Sequence, residues 1–262
     1  MTLAIDLTGR HAIVCASSRG LGRGCAEMLA QAGAALVLNG RDAEALEATK
    51  AEMLATDGGR QILTVAGDIT DPATQEKLLE ACPTPDILVN NNGGPPISGF
   101  QDLSRDDVMA GLTANMVAPF EMIQRVIDGM RARKFGRIVN ITSITVKMPI
   151  SGLDLSSAAR AGLTSFVAGI ARDVAADNVT INQLMPGFFD TERSRSGLRR
   201  RAETSGRPIE ELAAERNASI PAGRLGDTEE FGRACAFLCS PYSGFITGQN
   251  LLMDGGMFRS AF

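Results

Sequence analysis

A short apolar run from Ala12 to Ala16 leads into the turn Ser17-Ser18-Arg19-Gly20-Leu21-Gly22, after which Leu21, Cys25, Met28, Leu29 and Ala32 recur at helical spacing. This strand, glycine turn and helix constrain the fold most, because the same alternation runs on along the chain. Ala35 to Leu38 reads as a second strand, 42 to 56 as an Ala/Glu-rich helix and Ile62 to Val65 as a third strand, and Asp71-Pro72 starts another helix. Ile87 to Asn90 then reads as strand, 104 to 130 as helix, Arg137 to Thr142 as strand, 156 to 176 as helix and Val179 to Leu184 as strand. Pro186-Gly187 opens a polar, arginine-rich stretch to about 226, followed by a helix from 228 to 239 and a last strand at Asn250 to Met253. Such alternation builds a parallel sheet of about seven strands with helices on both faces.

In an open sheet of this kind the ligand crevice lies at the carboxyl ends of the strands, near the point where strand order reverses. The Gly20-x-Gly22 turn, Asn90-Asn91-Asn92-Gly93, Ser143 and Pro186-Gly187 all follow strands and would share one edge of the sheet. No linker or internal repeat interrupts the chain, so residues 1–262 are expected to form a single α/β domain.

Lysine and arginine total 26 against 30 acidic residues, a formal net charge of -4 that gives no reason to expect nucleic-acid binding. Met1 to Gly9 lacks the basic flank and apolar core of a signal peptide, and no later run has the length of a membrane span, so no membrane partner and a cytoplasmic location are expected. The cysteines Cys15, Cys25, Cys82, Cys235 and Cys239 are odd in number and scattered, which fits reduced core thiols. Cys235 and Cys239 have the spacing of one helix face, but His11, the sole histidine, reads as structural and leaves too few soft ligands, so no metal site is expected.

Ala16, Gly20, Gly22 and Gly24 let the first turn pass close to a pyrophosphate while the next helix offers free N–H groups and its positive dipole end. The turn departs from the general dinucleotide fingerprint but resembles the short-chain dehydrogenase form Thr-Gly-x-x-x-Gly-x-Gly, with Cys15-Ala16 in place of Thr-Gly. Asp68, the run Asp86 to Gly93, Asn115, Ser143, Pro186-Gly187-Phe188-Phe189-Asp190-Thr191 and Asp254-Gly255-Gly256 follow in family order and spacing. The chain thus resembles the short-chain dehydrogenase/reductase family over its whole length, nearest to its 3-oxoacyl-carrier-protein reductase-like members. That resemblance implies a Rossmann-like, doubly wound sheet, a substrate lid at about 188–224 and a homodimer or homotetramer built through the helices at 104–130 and 156–176.

The resemblance also assigns residues. Ser18, Arg19, Gly20, Leu21 and Gly22 would cradle the cofactor, Asp68 and Ile69 would frame its adenine, Asn91 and Gly93 would lie along it, and Pro186 and Gly187 would close the site. Asn90 reads as a structural asparagine at a strand end. Gly40 stands where an NAD-preferring relative carries an acidic residue, so Arg41 and Arg19 are free to pair with a 2'-phosphate, and NADP is expected over NAD.

Carbonyl reduction builds negative charge on oxygen, which needs a hydrogen-bond donor and finally a proton. The family uses a serine, a tyrosine, a lysine and an asparagine; Ser143 and Asn115 match two of these. At the Tyr-x-x-x-Lys position the chain reads Ser156-Ser157-Ala158-Ala159-Arg160, and its only tyrosine, Tyr242, lies far downstream. Serine is shorter and less acidic than a phenol, while guanidinium is a permanent cation that grips oxygen but does not relay protons readily. Asp154, Lys147 or ordered water are the candidate replacement acids, although Asp154 also suits a helix start and Lys147 a solvent-facing loop.

In the lid stretch Arg193, Arg195, Arg199, Arg200, Arg201 and Arg207 either attract an anionic substrate or form a solvated face offset by Glu203, Glu210, Glu211 and Glu215. Three functions stay open on these residues. They are an NADP(H)-linked oxidoreductase of a small carbonyl/alcohol pair, including 3-oxoacyl-thioester-like substrates, a non-redox isomerase or lyase, and a non-catalytic NADPH-binding protein.

Overall fold

The computed structural model describes residues 4–57, 61–95 and 97–260. In chain order these form β1 (His11–Val14), α1 (Gly20–Gln31), β2 (Ala35–Gly40), α2 (Ala43–Asp57), β3 (Ile62–Ala66), α3 (Pro72–Ala81) and β4 (Ile87–Asn90). There follow α4 (Arg105–Leu112), a π-helical turn (Thr113–Val117), α5 (Ala118–Ala132), β5 (Gly136–Ile141), α6 (Asp154–Val174) and β6 (Val179–Pro186). The remainder holds α7 (Glu192–Ser205), α8 (Ile209–Ala218), α9 (Thr228–Cys239) and β7 (Asn250–Met253).

The seven strands make one sheet in the order β3-β2-β1-β4-β5-β6-β7, every neighbouring pair parallel. Parallel strands need a crossover between them, and the strand order reverses between β1 and β4, which opens the crevice at their carboxyl ends. Alternate residues of each strand feed two separate cores. Ala12, Val14, Ile87 and Val89 pack with Leu29 of α1 and Phe231 of α9 on one face. Ile13, Leu88 and Ile138 pack with Met122 of α5 and Leu163 of α6 on the other. Full burial of side chains such as Leu29 or Leu88 contributes about 1.5–3 kcal/mol each.

Asn90 and Asn140 are buried in adjacent central strands, and each helps satisfy the other: Asn90 Nδ2 donates to Asn140 Oδ1 at 2.8 Å and to the Pro119 carbonyl at 3.2 Å. Asn90 thus has the structural role its position suggested. All five cysteines are buried and free, and no cluster of metal-ligating residues exists among the described residues. No helix among them is long and apolar enough to cross a membrane.

Two local expectations need correction, and one stretch left without assigned elements gains them. The first strand stops at Val14, because Ala16 takes a left-handed backbone with φ of 46° and turns the chain before the helix. The helix expected over 104–130 is interrupted by the π-helical turn at Thr113–Val117, whose wider winding helical spacing cannot reveal. The arginine-rich stretch is largely helical, with Thr191 capping α7 at its start and Gly206, at φ of 68°, ending it. No residue of α7 is buried, so no apolar stripe announced it.

Candidate active site

The nucleotide end of the crevice is assembled around Ala16. The Ala16 carbonyl accepts from Asn91 Nδ2 at 3.1 Å, so the loop after β4 braces the turn after β1. A Cβ on Gly22 would lie 2.3 Å from that carbonyl oxygen and 2.6 Å from Asn91 Nδ2, so only glycine fits there. Asn91, expected along the cofactor, therefore also holds the turn in shape. Buried Asn39 ties the end of β2 to the neighbouring turns, donating to the Val65 and Gly67 carbonyls at 3.1 Å each.

Arg19 precedes α1 in an extended conformation with no side-chain cap, and the first turn of α1 holds no acidic residue. The N–H groups at that terminus and the positive dipole end thus face the crevice uncompensated by protein charge, which suits a phosphate. The Ser18 carbonyl accepts from Thr49 Oγ1 at 3.0 Å, fixing the loop that carries Arg19. A Cβ on Gly40 would stand 3.3 Å from Ser18 Oγ and 3.4 Å from Leu46, so this position is crowded as well as uncharged. Arg19 and Arg41 are both exposed, and neither has a carboxylate within 4.0 Å among the described residues. Asp68 Oδ1 accepts from the Thr70 N–H and hydroxyl at 2.9 and 2.8 Å. The Ile69 side chain is buried in the core with Val65 and Leu78, so only its backbone is left to meet a ligand. Cys15 lies beneath the turn, and burial pushes its thiol up to about 12, which keeps it protonated and inert.

The reaction end gathers four of the expected residues. Ser143 follows β5, is partly exposed, and accepts from the Thr145 N–H at 3.1 Å, which leaves its own O–H to donate. Asn115 sits within the π-helical turn at 3% exposure; its Nδ2 donates to the Gly111 carbonyl at 3.3 Å and its Oδ1 has no partner among the described residues. Ser156 and Arg160 stand one turn apart on α6, both buried, with Arg160 Nε donating to Ser156 Oγ at 3.3 Å. Arg160 Nη1 donates to the Ile141 carbonyl at 2.6 Å and Nη2 to the Asn92 carbonyl at 3.4 Å. Burial without a carboxylate partner, aided by the nearby charge of Arg193, lowers Arg160 to about 10.

Two further residues of this end, which the sequence marked only as part of a motif at the sheet edge and of an arginine-rich stretch, make contacts that were not anticipated. Asn92 Nδ2 donates to the Ala114 carbonyl at 3.2 Å, linking the loop after β4 to the π-helical turn that holds Asn115. Arg193, one residue into α7, donates to the Gly94 and Pro95 carbonyls at 2.9 and 3.1 Å. Thr191, just before α7, lies beside the glycine turn, 3.7 Å from where a Gly20 Cβ would be. Gly187 donates to the Met253 carbonyl at 2.8 Å, tying the Pro186-Gly187 corner to β7. A cavity of about 330 Å³ opens here, lined by Gly93, Pro95, Leu103, Asn115 and Leu155 among others. The two proposed replacement acids stand apart from this hydrogen-bonded cluster: exposed Asp154 opens α6, and the exposed Lys147 ammonium lies 5.3 Å over the Phe258 ring.

A doubly wound parallel sheet, a glycine turn at the strand-order reversal and a serine, asparagine and buried cation beside it define a dinucleotide-binding class of protein. Residues 15–258 match the family model described as "Enoyl-(Acyl carrier protein) reductase". The chain is 32% identical over 254 residues to the 3-oxoacyl-[acyl-carrier-protein] reductase of Vibrio harveyi, covering 97% of this chain and 99% of that one. It is 31% identical over 261 residues to the NADPH-dependent reductase BacG of Bacillus subtilis, covering 97% and 100%. The crystal structure of a 3-oxoacyl (acyl-carrier-protein) reductase from Agrobacterium tumefaciens with NADP bound superposes with a TM-score of 0.88 at 33% identity, covering 98% of both chains. The chain belongs to the short-chain dehydrogenase/reductase family.

Proposed function

We propose that this protein is an NADP(H)-linked oxidoreductase of a small carbonyl/alcohol pair, in which Ser143, Ser156 and Arg160 serve the reacting oxygen without a phenol. One observation carries the reading: the glycine turn admits no side chain at Gly22, opens onto an uncapped helix terminus, and is flanked by Gly40 with exposed Arg19 and Arg41, neither paired with a carboxylate among the described residues. That combination fits a pyrophosphate and a 2'-phosphate better than two ribose hydroxyls. Backbone N–H groups from Arg19 to Gly22 would hold the pyrophosphate, with the two arginines on the 2'-phosphate. The NADP bound by the Agrobacterium relative and the NADPH dependence of the Bacillus relative support the same preference.

The cofactor, when bound, supplies the hydride. The chain's own residues serve the oxygen that gains charge. Ser143 and Ser156 each accept a hydrogen bond from the protein, from Thr145 and Arg160 respectively, so each keeps its O–H to donate. The buried Arg160 cation acts in a site of low polarity, where its field on a developing alkoxide is stronger than in water. The final proton comes from water, because neither serine has the acidity of a phenol. Loss of a positioned acid costs about 10²- to 10⁴-fold in rate, so turnover is slow.

Helices α7 and α8 act as the substrate lid in this reading, and the whole chain works as one domain. Assembly into a homodimer or homotetramer uses the exposed faces of the π-helical turn, α5 and α6, where Val117 of the turn and Phe166 of α6 are 38% and 44% exposed and Phe120 of α5 meets Phe166 edge to face at 4.8 Å. A panel of carbonyl compounds, including 3-oxoacyl thioesters, incubated with high enzyme and NADPH deuterated at C4 tests the reading. Stereospecific deuterium in an alcohol product supports it. Product formed without deuterium transfer, or no product at all from folded protein that binds NADPH, contradicts it.

A further inference from the structure

A buried arginine is costly unless its charge is matched, and the molecule contains an internal control for what a purely structural one looks like. Arg137 is 1% exposed and donates to the carbonyls of Ser240, Gly136 and Asn178 and to Asn178 Oδ1, at 2.8 to 3.2 Å, while its guanidinium lies 4.4 Å over the Phe135 ring. Every nitrogen of that group is engaged, and it sits at the opposite end of β5 from the crevice. Arg160 also lacks a carboxylate partner and has all three nitrogens engaged, but it sits at the crevice end of β5, and two of its three bonds are long, 3.3 and 3.4 Å. Of its five N–H donors, three meet acceptors within the described residues, one of them only at 3.4 Å, and the group faces the crevice.

Arg193 reaches the same loop from the other side. Its guanidinium is seated against Gly94, where an added Cβ would approach Nη2 to 3.0 Å, and it bonds only backbone carbonyls. Neighbouring Arg200 adds a third positive charge whose field acts on Arg193, as that of Arg193 acts on Arg160. None of the three has a carboxylate within 4.0 Å among the described residues, although the rest of α7 is rich in ion pairs. Two of these charges, Arg160 and Arg193, bond the backbone of one short loop, residues 92–95, beside a cavity, with no carboxylate within 4.0 Å of either among the described residues. Asp107, a carboxylate that lines the cavity, has one oxygen turned to Ser104, accepting from its N–H and hydroxyl at 3.0 and 2.5 Å.

We infer that Arg160 and Arg193 form an anion clamp, and that the substrate is a small carbonyl compound carrying a negatively charged oxygen group, carboxylate or phosphate. The inference rests on the proposed carbonyl chemistry for the word substrate, but not for the anion site itself. Neither arginine lines the adjoining cavity of about 330 Å³, but its lining residues Gly93 and Pro95 belong to the loop that both arginines bond, and a cavity of that size holds a compact molecule rather than a long acyl chain. The fork of a guanidinium matches a two-oxygen anion, which fixes orientation as well as charge. In this arrangement the clamp replaces what a tyrosine and a lysine would supply elsewhere in positioning, by holding the substrate through its acidic group.

The test uses the full-length protein with and without saturating NADPH, at constant ionic strength set with chloride. Malonate, its dimethyl ester and inorganic phosphate are titrated, with melting temperature and NADPH fluorescence as readouts. The expected result is saturable stabilisation by malonate or phosphate and none by the ester. Arg193→Leu should weaken that binding about 10-fold or more, the loss of a charge-assisted pair, with NADPH affinity unchanged within about 3-fold. Arg160→Met should do the same, and Arg193→Lys should retain part of the affinity. Tighter malonate than phosphate assigns the group to a carboxylate, and the reverse to a phosphate ester; both support the clamp. Ester binding as tight as the acid, anion binding insensitive to both arginines, or simple competition between the anion and NADPH overturns it. If NADPH fails to bind but the arginine-dependent anion site persists, the clamp stands and the oxidoreductase reading falls.

Discussion

Helix α7 gives its arginines two different fates. On its outer face Arg195 pairs with Asp190 at 2.8 Å and with Glu192 at 3.4 Å, Arg199 with Glu192, and Arg201 with Glu215 at 3.8 Å. Arg207, just beyond, pairs with Glu211 and Glu215. At the inner edge Arg193 meets only carbonyls, and together with buried Arg160 it leaves positive charge unbalanced at the crevice. The same residue type on one helix thus pairs with carboxylates at several positions and with loop carbonyls at another, although Arg193 is exposed like the rest. Exposed, paired arginines are worth about 0–1 kcal/mol each, whereas an unpaired buried cation is retained against its own desolvation cost. The lesson is that the count of arginines says little by itself: buried Arg137 also lacks a carboxylate partner, and what sets Arg160 and Arg193 apart from it is their place at the crevice end of the sheet.

Substitutions that restore the family's residues probe the inner side most strongly. Ser156→Tyr with Arg160→Lys should raise reduction of an uncharged ketone by about 10²-fold or more, the contribution of a positioned acid, measured as NADPH consumption by folded protein. No gain would show that the pocket has been reshaped around the guanidinium. At the nucleotide end, Arg41→Asp should weaken NADPH binding by about 10- to 100-fold and leave NADH nearly unchanged, since it replaces a charge-assisted contact with repulsion; direct titration of both cofactors measures it.

The outer arginines supply the contrasting case. Arg195→Ala with Arg199→Ala should change turnover by less than about 2-fold and stability by no more than about 1 kcal/mol, as expected for exposed ion pairs. A large loss of activity would erase the distinction between the two faces of α7. The smallest effect is expected where acid and arginine meet in the capping box of α9. Arg224 and the Asp227 N–H hold the Glu230 carboxyl down to about 2, well below its ordinary value of 4.5. A depressed acid contributes stability above its unfolded pKa and loses it as pH falls toward the folded one. Glu230→Gln should therefore lower the melting temperature slightly at pH 7, with the difference from the unaltered protein vanishing between about pH 4.5 and pH 2.

The nucleotide end was legible in the sequence because it is local: strand, turn and helix follow one another, and Gly20, Gly22, Gly40 and Arg41 carry their meaning by position. The seven strands were legible for a related reason, since buried parallel strands are apolar runs between helices. The reaction end was only partly so. Ser143, Asn115, Ser156 and Arg160 were found by family spacing, but the Arg193 contact joins residues 99 positions apart, and no local pattern encodes it. Asn92 was named within the motif after β4, but its contact with Ala114 was hidden in the same way, because Ala114 lies in a π-helical turn that helical periodicity reads straight through. Helix α7 has no buried residue, so no apolar stripe gave its bounds, and its caps at Thr191 and Gly206 emerged only with the structure. Of the acids proposed to offset the arginines, Glu211 and Glu215 do so, while Asp190 and Glu192 do more of this work than Glu203 or Glu210.

The central claim, a site built for NADP(H) with a guanidinium-lined reaction end, is tested most directly by titrating the protein with NADPH and NADH and following cofactor fluorescence. The chain contains no tryptophan, so the protein contributes little background. The account predicts saturable binding of NADPH that is at least about 10-fold tighter than that of NADH. Binding of neither cofactor to folded protein, or tighter binding of NADH, would contradict it.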